Sequence, residues 1–221
     1  MNDVECIILA GGSGTRLGMG PKAFIKLGGM TLLERAVQPM LVVSSKVIVA
    51  LPKTQIPEGD ALMNDDRVTL IAGGERRSDT FRLLVKESRA EWLILHDVVH
   101  PCVTAELTQT VLDAAYASGA AAATYVVTEF LYNPDGAMVA RPEQSLIVQK
   151  PIAFRSSVLK TGIEKADALG LTHDIGILEF FSLAGVTPTF VKGHPWNQKI
   201  TYPEDLELAE PFVPKMNSWY S

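Results

Sequence analysis

Short runs of apolar and β-branched residues alternate along the chain with longer stretches of helical periodicity. Runs of this length are typical of buried strands, and apolar residues that recur every three or four positions predict amphipathic helices between them. Thr31 and Glu34 form a capping-box sequence at the start of the first helical stretch, and Pro203 is typical of the first position of a last helix. Strands are predicted at 6–10, 46–51, 68–72, 92–96, 121–127 and 187–191, and helices at 32–41, 79–88, 105–117, 155–166 and 175–183.

Strand–helix alternation of this kind predicts an α/β fold: a single three-layer domain over 1–221, built on a mostly parallel, Rossmann-like sheet. In such sheets ligands bind outside the carboxyl ends of the strands. The alternation is interrupted at about 127–149, where the turn sequence Asn-Pro-Asp-Gly at 133–136 separates two short apolar stretches. We therefore expect a protruding β-arm there.

Composition narrows the function classes. Hydrophobic residues make up 47% and charged residues 20% of the 221 residues, which is the balance of a globular protein. The net charge of −5 argues against a nucleic-acid partner. Two cysteines, Cys6 and Cys102, suggest neither a zinc site nor a disulfide framework. Without a leader pattern or a long apolar run, we expect no membrane association and a cytoplasmic location.

A glycine-rich loop directly follows the first predicted strand, with the sequence Leu-Ala-Gly-Gly-Ser-Gly-Thr-Arg-Leu-Gly-Met-Gly-Pro-Lys at 9–22. It fits neither the Walker pattern, because Ala23 follows Lys22, nor the dinucleotide pattern, because Leu17 stands at the third glycine position. Glycines nevertheless bring backbone N–H groups close to phosphates, and Arg16 and Lys22 add positive charge that suits a triphosphate. The loop residues expected to bind a nucleotide are Ala10, Gly11, Gly12, Ser13 and Gly14.

This loop resembles that of the sugar-nucleotide pyrophosphorylases, and more closely that of the cytidylyltransferases acting on 2-C-methyl-D-erythritol 4-phosphate and on ribitol 5-phosphate. Similar segments recur in order along nearly the whole chain, at 73–80, 96–101, 149–154 and 197–206. The resemblance implies that Gly74 and Thr80 contact the nucleotide, that Asp97 binds Mg²⁺, and that Lys199 acts at the active site. It leaves the second metal ligand open.

Several positions depart from the family pattern. His100 replaces an arginine, Glu129 replaces a threonine, and two polar positions change where Gln-Lys-Pro-Ile-Ala-Phe at 149–154 replaces Gln-Thr-Pro-Gln-Ala-Phe. The segment at 172–174 carries a histidine in place of one acid. The resemblance implies that His100, Glu129 and Arg141 contact the acceptor, so these departures leave the acceptor open.

The resemblance implies an enzyme that transfers CMP from CTP to a small polyol phosphate and releases pyrophosphate, with Arg16, Lys22 and Lys199 as catalytic residues. The first expectation for the acceptor is 2-C-methyl-D-erythritol 4-phosphate, in isoprenoid precursor synthesis. The alternatives are ribitol 5-phosphate, another polyol or sugar phosphate or phosphonate, or a nucleotide-binding module without catalysis. The resemblance also implies a homodimer joined through the arm.

Overall fold

The computed structural model describes residues 3–12, 14–171 and 175–219, with side chains to residue 216. A seven-stranded sheet has the order β11-β7-β10-β6-β1-β4-β5. The strands are β1 Val4–Leu9, β2 Lys26–Leu27, β3 Met30–Thr31, β4 Lys46–Leu51, β5 Val68–Ala72, β6 Trp92–Asp97, β7 Ala120–Val126, β8 Leu131–Tyr132, β9 Met138–Ala140, β10 Leu146–Arg155 and β11 Thr189–Lys192. The α-helices are α1 Leu32–Val43, α2 Ile56–Leu62, α3 Arg77–Glu87, α4 Ala105–Ser118, α5 Ser156–Ala168, α6 Ile177–Ala184, α7 Pro203–Ala209 and α8 Val213–Trp219.

The sheet is covered on both faces, and this follows from the alternation of side chains along each strand. In β1, Cys6 and Ile8 pack into one hydrophobic core, whereas Ile7 and Leu9 pack into a second core on the opposite face. All four are buried. Helices α1 and α4 contact each other on the first face, and α5 and α6 contact each other on the second. The predicted three-layer α/β fold with a mostly parallel sheet is confirmed.

The helix boundaries agree with the sequence signals. Thr31 caps α1: its hydroxyl accepts from the Glu34 N–H at 3.1 Å, and the Glu34 carboxylate accepts from the Thr31 N–H at 2.7 Å. Helix α4 begins at Thr104, whose side chain accepts from the Leu107 N–H, and ends at Gly119 with φ of +88°. The six predicted strands and five predicted helices are confirmed to within a few residues at each end.

One central strand was not predicted. β10 runs antiparallel between β6 and β7, with Ile152 opposite Leu95 and opposite Ala122. Its pairing with β7 is interrupted between Val148 and Ile152. The polar residues and the proline in this interval hid the strand in the sequence, because they break the apolar run that marks a buried strand.

The two short strands β8 and β9 pair with each other within the range 127–149 expected to form an arm. They lie outside the seven-stranded sheet. In the part of the chain that the structure describes, no helix combines the length and the apolar character that crossing a bilayer requires.

Candidate functional site

A cavity of about 370 Å³ opens at the carboxyl ends of β1 and β6, where Leu9 and Asp97 stand side by side in the parallel register. This is the edge at which an α/β sheet binds ligands. The cavity is lined by residues from five separate segments of the chain: the glycine-rich loop, Pro52 after β4, the segment after β5, the end of β6 and the segment before α7. The sequence-predicted residues that line it are Gly11, Gly12, Gly14, Arg16, Lys22, Gly74, Thr80, Asp97 and Lys199.

The glycine-rich loop is shaped by Gly14, whose φ is +70°. A Cβ atom there would lie 1.9 Å from the Gly20 carbonyl oxygen, so the loop closes on itself at a distance that only glycine permits. The Gly14 carbonyl accepts from the N–H groups of Leu17 and Gly18. Ala10 is fully buried and does not line the cavity, and Ser13 lies outside the described residues, so their predicted roles stay predictions.

Lys22 lies at the base of the loop and is only 7% exposed. Its Nζ donates to the Ile200 carbonyl at 2.8 Å, which joins the loop to the segment that carries Lys199. Burial lowers the pKa of Lys22, and the charges of Arg16 and Lys199 lower it further, against an opposing effect of Asp205. Three cations from two distant parts of the sequence therefore act on one another at the cavity. Like charges held together in this way indicate an anionic ligand.

Thr80, near the start of α3, holds the loop after β5. Its Oγ1 accepts from the Gly74 N–H at 3.0 Å and donates to the Arg76 carbonyl at 3.1 Å. A Cβ atom on Gly73 would lie 3.2 Å from the same hydroxyl. The hydroxyl thus fixes the backbone of Gly73 and Gly74 against the cavity.

Asp97 ends β6 and is 5% exposed. Arg77 donates through Nη2 to both Asp97 oxygens, at 3.0 and 3.1 Å, and the Lys150 Nζ lies 3.9 Å from Oδ2. Burial alone would raise the pKa of Asp97, but Lys150, Arg77 and His100 together lower it to about 2. The carboxylate is therefore ionised at neutral pH and compensated from two sides.

Arg77 and Lys150 were missed as site residues. Arg77 occupies the arginine position of the family's Gly-Gly-x-x-Arg-x-Asp-Ser pattern, so the signal was present in the sequence. The register of β10 explains Lys150: because Ile152 pairs with Leu95 in an antiparallel ladder, continuing that register places Lys150 opposite Asp97. That proximity depends on a strand that was not predicted.

A magnesium ion fits this donor set in one particular way. Asp97 places a carboxylate at the cavity wall, while the described residues contain no group of three or more His, Cys, Asp or Glu side chains that could hold a metal. Mg²⁺ is commonly held by one or two carboxylates together with substrate phosphates and water. The residues therefore suit an ion that arrives with a polyphosphate.

The three residues predicted to contact the acceptor are not brought together within this chain. His100 is 7% exposed, and its Nδ1 lies 3.3 Å from the Asn197 carbonyl oxygen, behind the cavity wall. Burial lowers the pKa of His100 to about 4 and that of the neighbouring His96 to about 3, so both rings are neutral at pH 7. Glu129 and Arg141 are exposed on the arm and do not line the cavity.

Comparison with known proteins agrees with this geometry. The sequence profile of the family described as 2-C-methyl-D-erythritol 4-phosphate cytidylyltransferase matches residues 4–215. The chain is 35% identical to the enzyme of that name from Deinococcus radiodurans, over 92% of this chain and 87% of the other. It is 35% identical to the Thermus thermophilus enzyme of that name, over 94% and 96% of the two chains. A crystal structure of the cytidylyltransferase from Thermus thermophilus superposes with a TM-score of 0.82 at 30% identity, covering 96% of this chain and 99% of the other.

Proposed function

The chain belongs to the 2-C-methyl-D-erythritol 4-phosphate cytidylyltransferase family, and on that premise we propose that it transfers CMP from CTP to 2-C-methyl-D-erythritol 4-phosphate. The enzyme is a CTP-dependent nucleotidyltransferase of isoprenoid precursor synthesis. The observation that carries the assignment to this site is the convergence of Arg16, Lys22 and Lys199 on a cavity that also contains the carboxylate of Asp97.

In the reaction, a phosphate oxygen of the acceptor forms a bond to the α-phosphorus of CTP. The bond between that phosphorus and the oxygen that bridges to the β-phosphate breaks. Pyrophosphate leaves and keeps the electron pair of the broken bond. The second pKa of a phosphate monoester is about 6, so the nucleophile is already mostly a dianion at neutral pH and needs no general base. The main requirements are the positioning of two anions and the neutralisation of their charge.

The chain's own residues divide these tasks. Backbone N–H groups of the glycine-rich loop and the side chains of Arg16 and Lys22, which line the cavity, would bind the β- and γ-phosphates, which become pyrophosphate. Lys199 lines the cavity from a different segment and would bind the α-phosphate, where negative charge accumulates. Asp97 would hold Mg²⁺, which when bound neutralises phosphate charge and polarises the phosphorus centre.

Pyrophosphate release tests this assignment. The protein is incubated with CTP and Mg²⁺ and with 2-C-methyl-D-erythritol 4-phosphate, ribitol 5-phosphate, other polyol phosphates or an aminoalkyl phosphonate. We expect turnover with 2-C-methyl-D-erythritol 4-phosphate and no release when Mg²⁺ is chelated. Turnover with ribitol 5-phosphate alone would replace the acceptor and keep the chemistry. CTP binding without turnover on any acceptor would indicate a nucleotide-binding module.

We further propose that the enzyme is a homodimer joined through the arm. Phe130, Tyr132, Val139 and Ile147 each expose half or more of their surface in the isolated chain. Clustered apolar exposure of this kind indicates a protein interface. Light scattering should give twice the chain mass of 24.0 kDa, and Phe130→Asp should give the monomer. A wild-type monomer would contradict the proposal.

The cytoplasmic location stays a prediction.

A further inference from the structure

Two departures from the family pattern lie next to Asp97. Position 100 carries histidine where the family has arginine, and position 150 carries lysine where the family has threonine. The two positions are 50 residues apart in the sequence, yet both lie next to Asp97: the Lys150 Nζ is 3.9 Å from the Asp97 Oδ2, and the His100 backbone N–H donates to the Asp97 carbonyl at 3.0 Å. Asn197 links the two positions. Its side-chain amide donates to the Lys150 carbonyl, and its own backbone carbonyl faces the His100 ring.

The exchange moves a positive charge and does not remove it. An arginine at position 100 would be charged at any physiological pH. The His100 ring is instead buried, and its Nδ1 lies against the Asn197 carbonyl. Lys150 brings an ammonium to the other side of Asp97, from strand β10. Where the family pattern has a permanent positive charge at position 100, this chain has one at position 150, on a different strand.

The Lys150 ammonium makes no hydrogen bond within the described residues. The side chain is 9% exposed, and its contact with Asp97 is 3.9 Å long, against about 2.8 Å for a charge-assisted hydrogen bond. Within the described residues, no acceptor lies at hydrogen-bond distance from its Nζ. Burying a cation without hydrogen bonds costs free energy. A nearly buried ammonium whose N–H donors have no acceptor therefore indicates an anionic ligand.

The position of this ammonium points to the acceptor and not to CTP. Arg16 and Lys22 line the cavity at the glycine-rich loop, whereas Lys150 lines an adjoining cavity that shares Leu9 and Arg77 with it. In an in-line displacement the nucleophile approaches from the side opposite the leaving group. With the leaving phosphates at the loop, an acceptor in the adjoining cavity would approach from the side on which Lys150 lies.

We propose that Lys150 binds the phosphate of the acceptor and takes the part that the arginine at position 100 plays in the family pattern. This inference rests on the proposed function and deepens it. It makes Lys150 a specificity-determining residue: the enzyme distinguishes a phosphorylated polyol from the free polyol through a lysine on β10.

The test measures Michaelis constants for the acceptor and for CTP separately, by pyrophosphate release. Lys150→Met keeps the length of the side chain and removes its charge. We expect it to raise the KM for 2-C-methyl-D-erythritol 4-phosphate by roughly ten- to a hundredfold and to change the KM for CTP by less than about twofold. Lys150→Arg should recover most of the loss. The exposed Lys160→Met is the matched control and should behave as wild type.

The family pattern supplies a sharper variant. Lys150→Thr should lose acceptor affinity as Lys150→Met does, and adding His100→Arg to it should restore that affinity, because the charge returns to its other position. An unchanged acceptor KM in Lys150→Met would overturn the proposal. A rise in the KM for CTP alone would also overturn it, because Lys150 would then affect only Asp97 and the binding of CTP.

A binding measurement separates this inference from the proposed function. Inorganic phosphate is titrated by calorimetry into protein saturated with CTP, without any acceptor. Wild type should bind phosphate roughly tenfold more tightly than Lys150→Met, whether or not any acceptor in the panel turns over. Equal affinity would overturn the role of Lys150 even in an active enzyme. Absence of turnover with a retained affinity difference would overturn only the acceptor assignment.

Discussion

The Lys22 ammonium donates to the Ile200 carbonyl at 2.8 Å, across 178 positions of sequence. This single hydrogen bond joins the loop that follows the first strand to the segment that precedes helix α7. It leaves two of the three ammonium donors for a phosphate. Lys22 therefore has a structural contact and a ligand-binding role at once, and these can be separated experimentally.

Lys22→Met should lower turnover by about a hundred- to a thousandfold, because one preorganised contact to the transition state is lost. It should also lower the free energy of unfolding by about 1–2 kcal/mol, since the buried Ile200 carbonyl loses its donor. Steady-state kinetics and urea unfolding measure the two effects. The exposed Lys26→Met is the control. Full turnover in Lys22→Met would remove this lysine from the catalytic set.

Gly14 and Gly18 offer a matched pair, because their φ angles are +70° and +69°. A Cβ atom on Gly14 would meet the Gly20 carbonyl oxygen, whereas nothing lies within 4 Å of one on Gly18. Gly18→Ala should cost about 1–2 kcal/mol of backbone strain and keep the KM for CTP near wild type. Gly14→Ala must open the loop and should raise the KM for CTP more than about tenfold. Equal effects would show that the loop closure does not matter for nucleotide binding.

Tyr202 should position Arg16. The guanidinium carbon lies 5.9 Å from the centre of the Tyr202 ring, and both side chains are exposed. A cation–π contact at an exposed position contributes about 0.5–1 kcal/mol. Tyr202→Ala should therefore raise the KM for CTP by about two- to fivefold, while Tyr202→Phe keeps the ring and should match wild type. A Phe variant as weak as the Ala variant would place the effect in the hydroxyl.

The buried histidines should make stability depend on pH. Burial lowers the pKa of His100 to about 4 and of His96 to about 3, against an ordinary value of 6.5. Below pH 6.5 these histidines therefore become protonated in the unfolded chain but stay neutral in the folded chain. The free energy of unfolding falls as the pH falls, by up to about 1.4 kcal/mol per pH unit for each ring. Urea unfolding between pH 6.5 and 5 measures this slope. His100→Asn should make it shallower, and an unchanged slope would contradict the burial argument.

The sequence alone predicted the parts of the site that lie in continuous segments. The glycine-rich loop, Asp97 and Lys199 each follow or precede a predicted strand or helix, and all three meet at the cavity. For the loop and Asp97, convergence follows from a general property of parallel sheets, whose strand ends share one edge. Lys199 was indicated by the family resemblance. No knowledge of side-chain packing was needed for this part.

The contacts made through β10 could not be predicted in the same way. Gln149, Lys150 and Pro151 interrupt its apolar pattern, so the strand was missed and with it the neighbourhood of Lys150 and Asp97. Glu129 and Arg141 pose a different problem. They lie on the exposed arm, so their predicted contact with an acceptor depends on a second chain and stays a prediction.

Strand β10 begins at the exposed Leu146, beside the arm, and reaches Asp97 only a few residues later at Lys150. Side chains alternate between the two faces of a sheet, so one residue inserted between these points would turn Lys150 away from Asp97. We therefore expect the arm to tolerate changes in length at its tip, 133–136, where a turn can lengthen without altering the register of β10. Natural variants and engineered fusions alike should carry their insertions there.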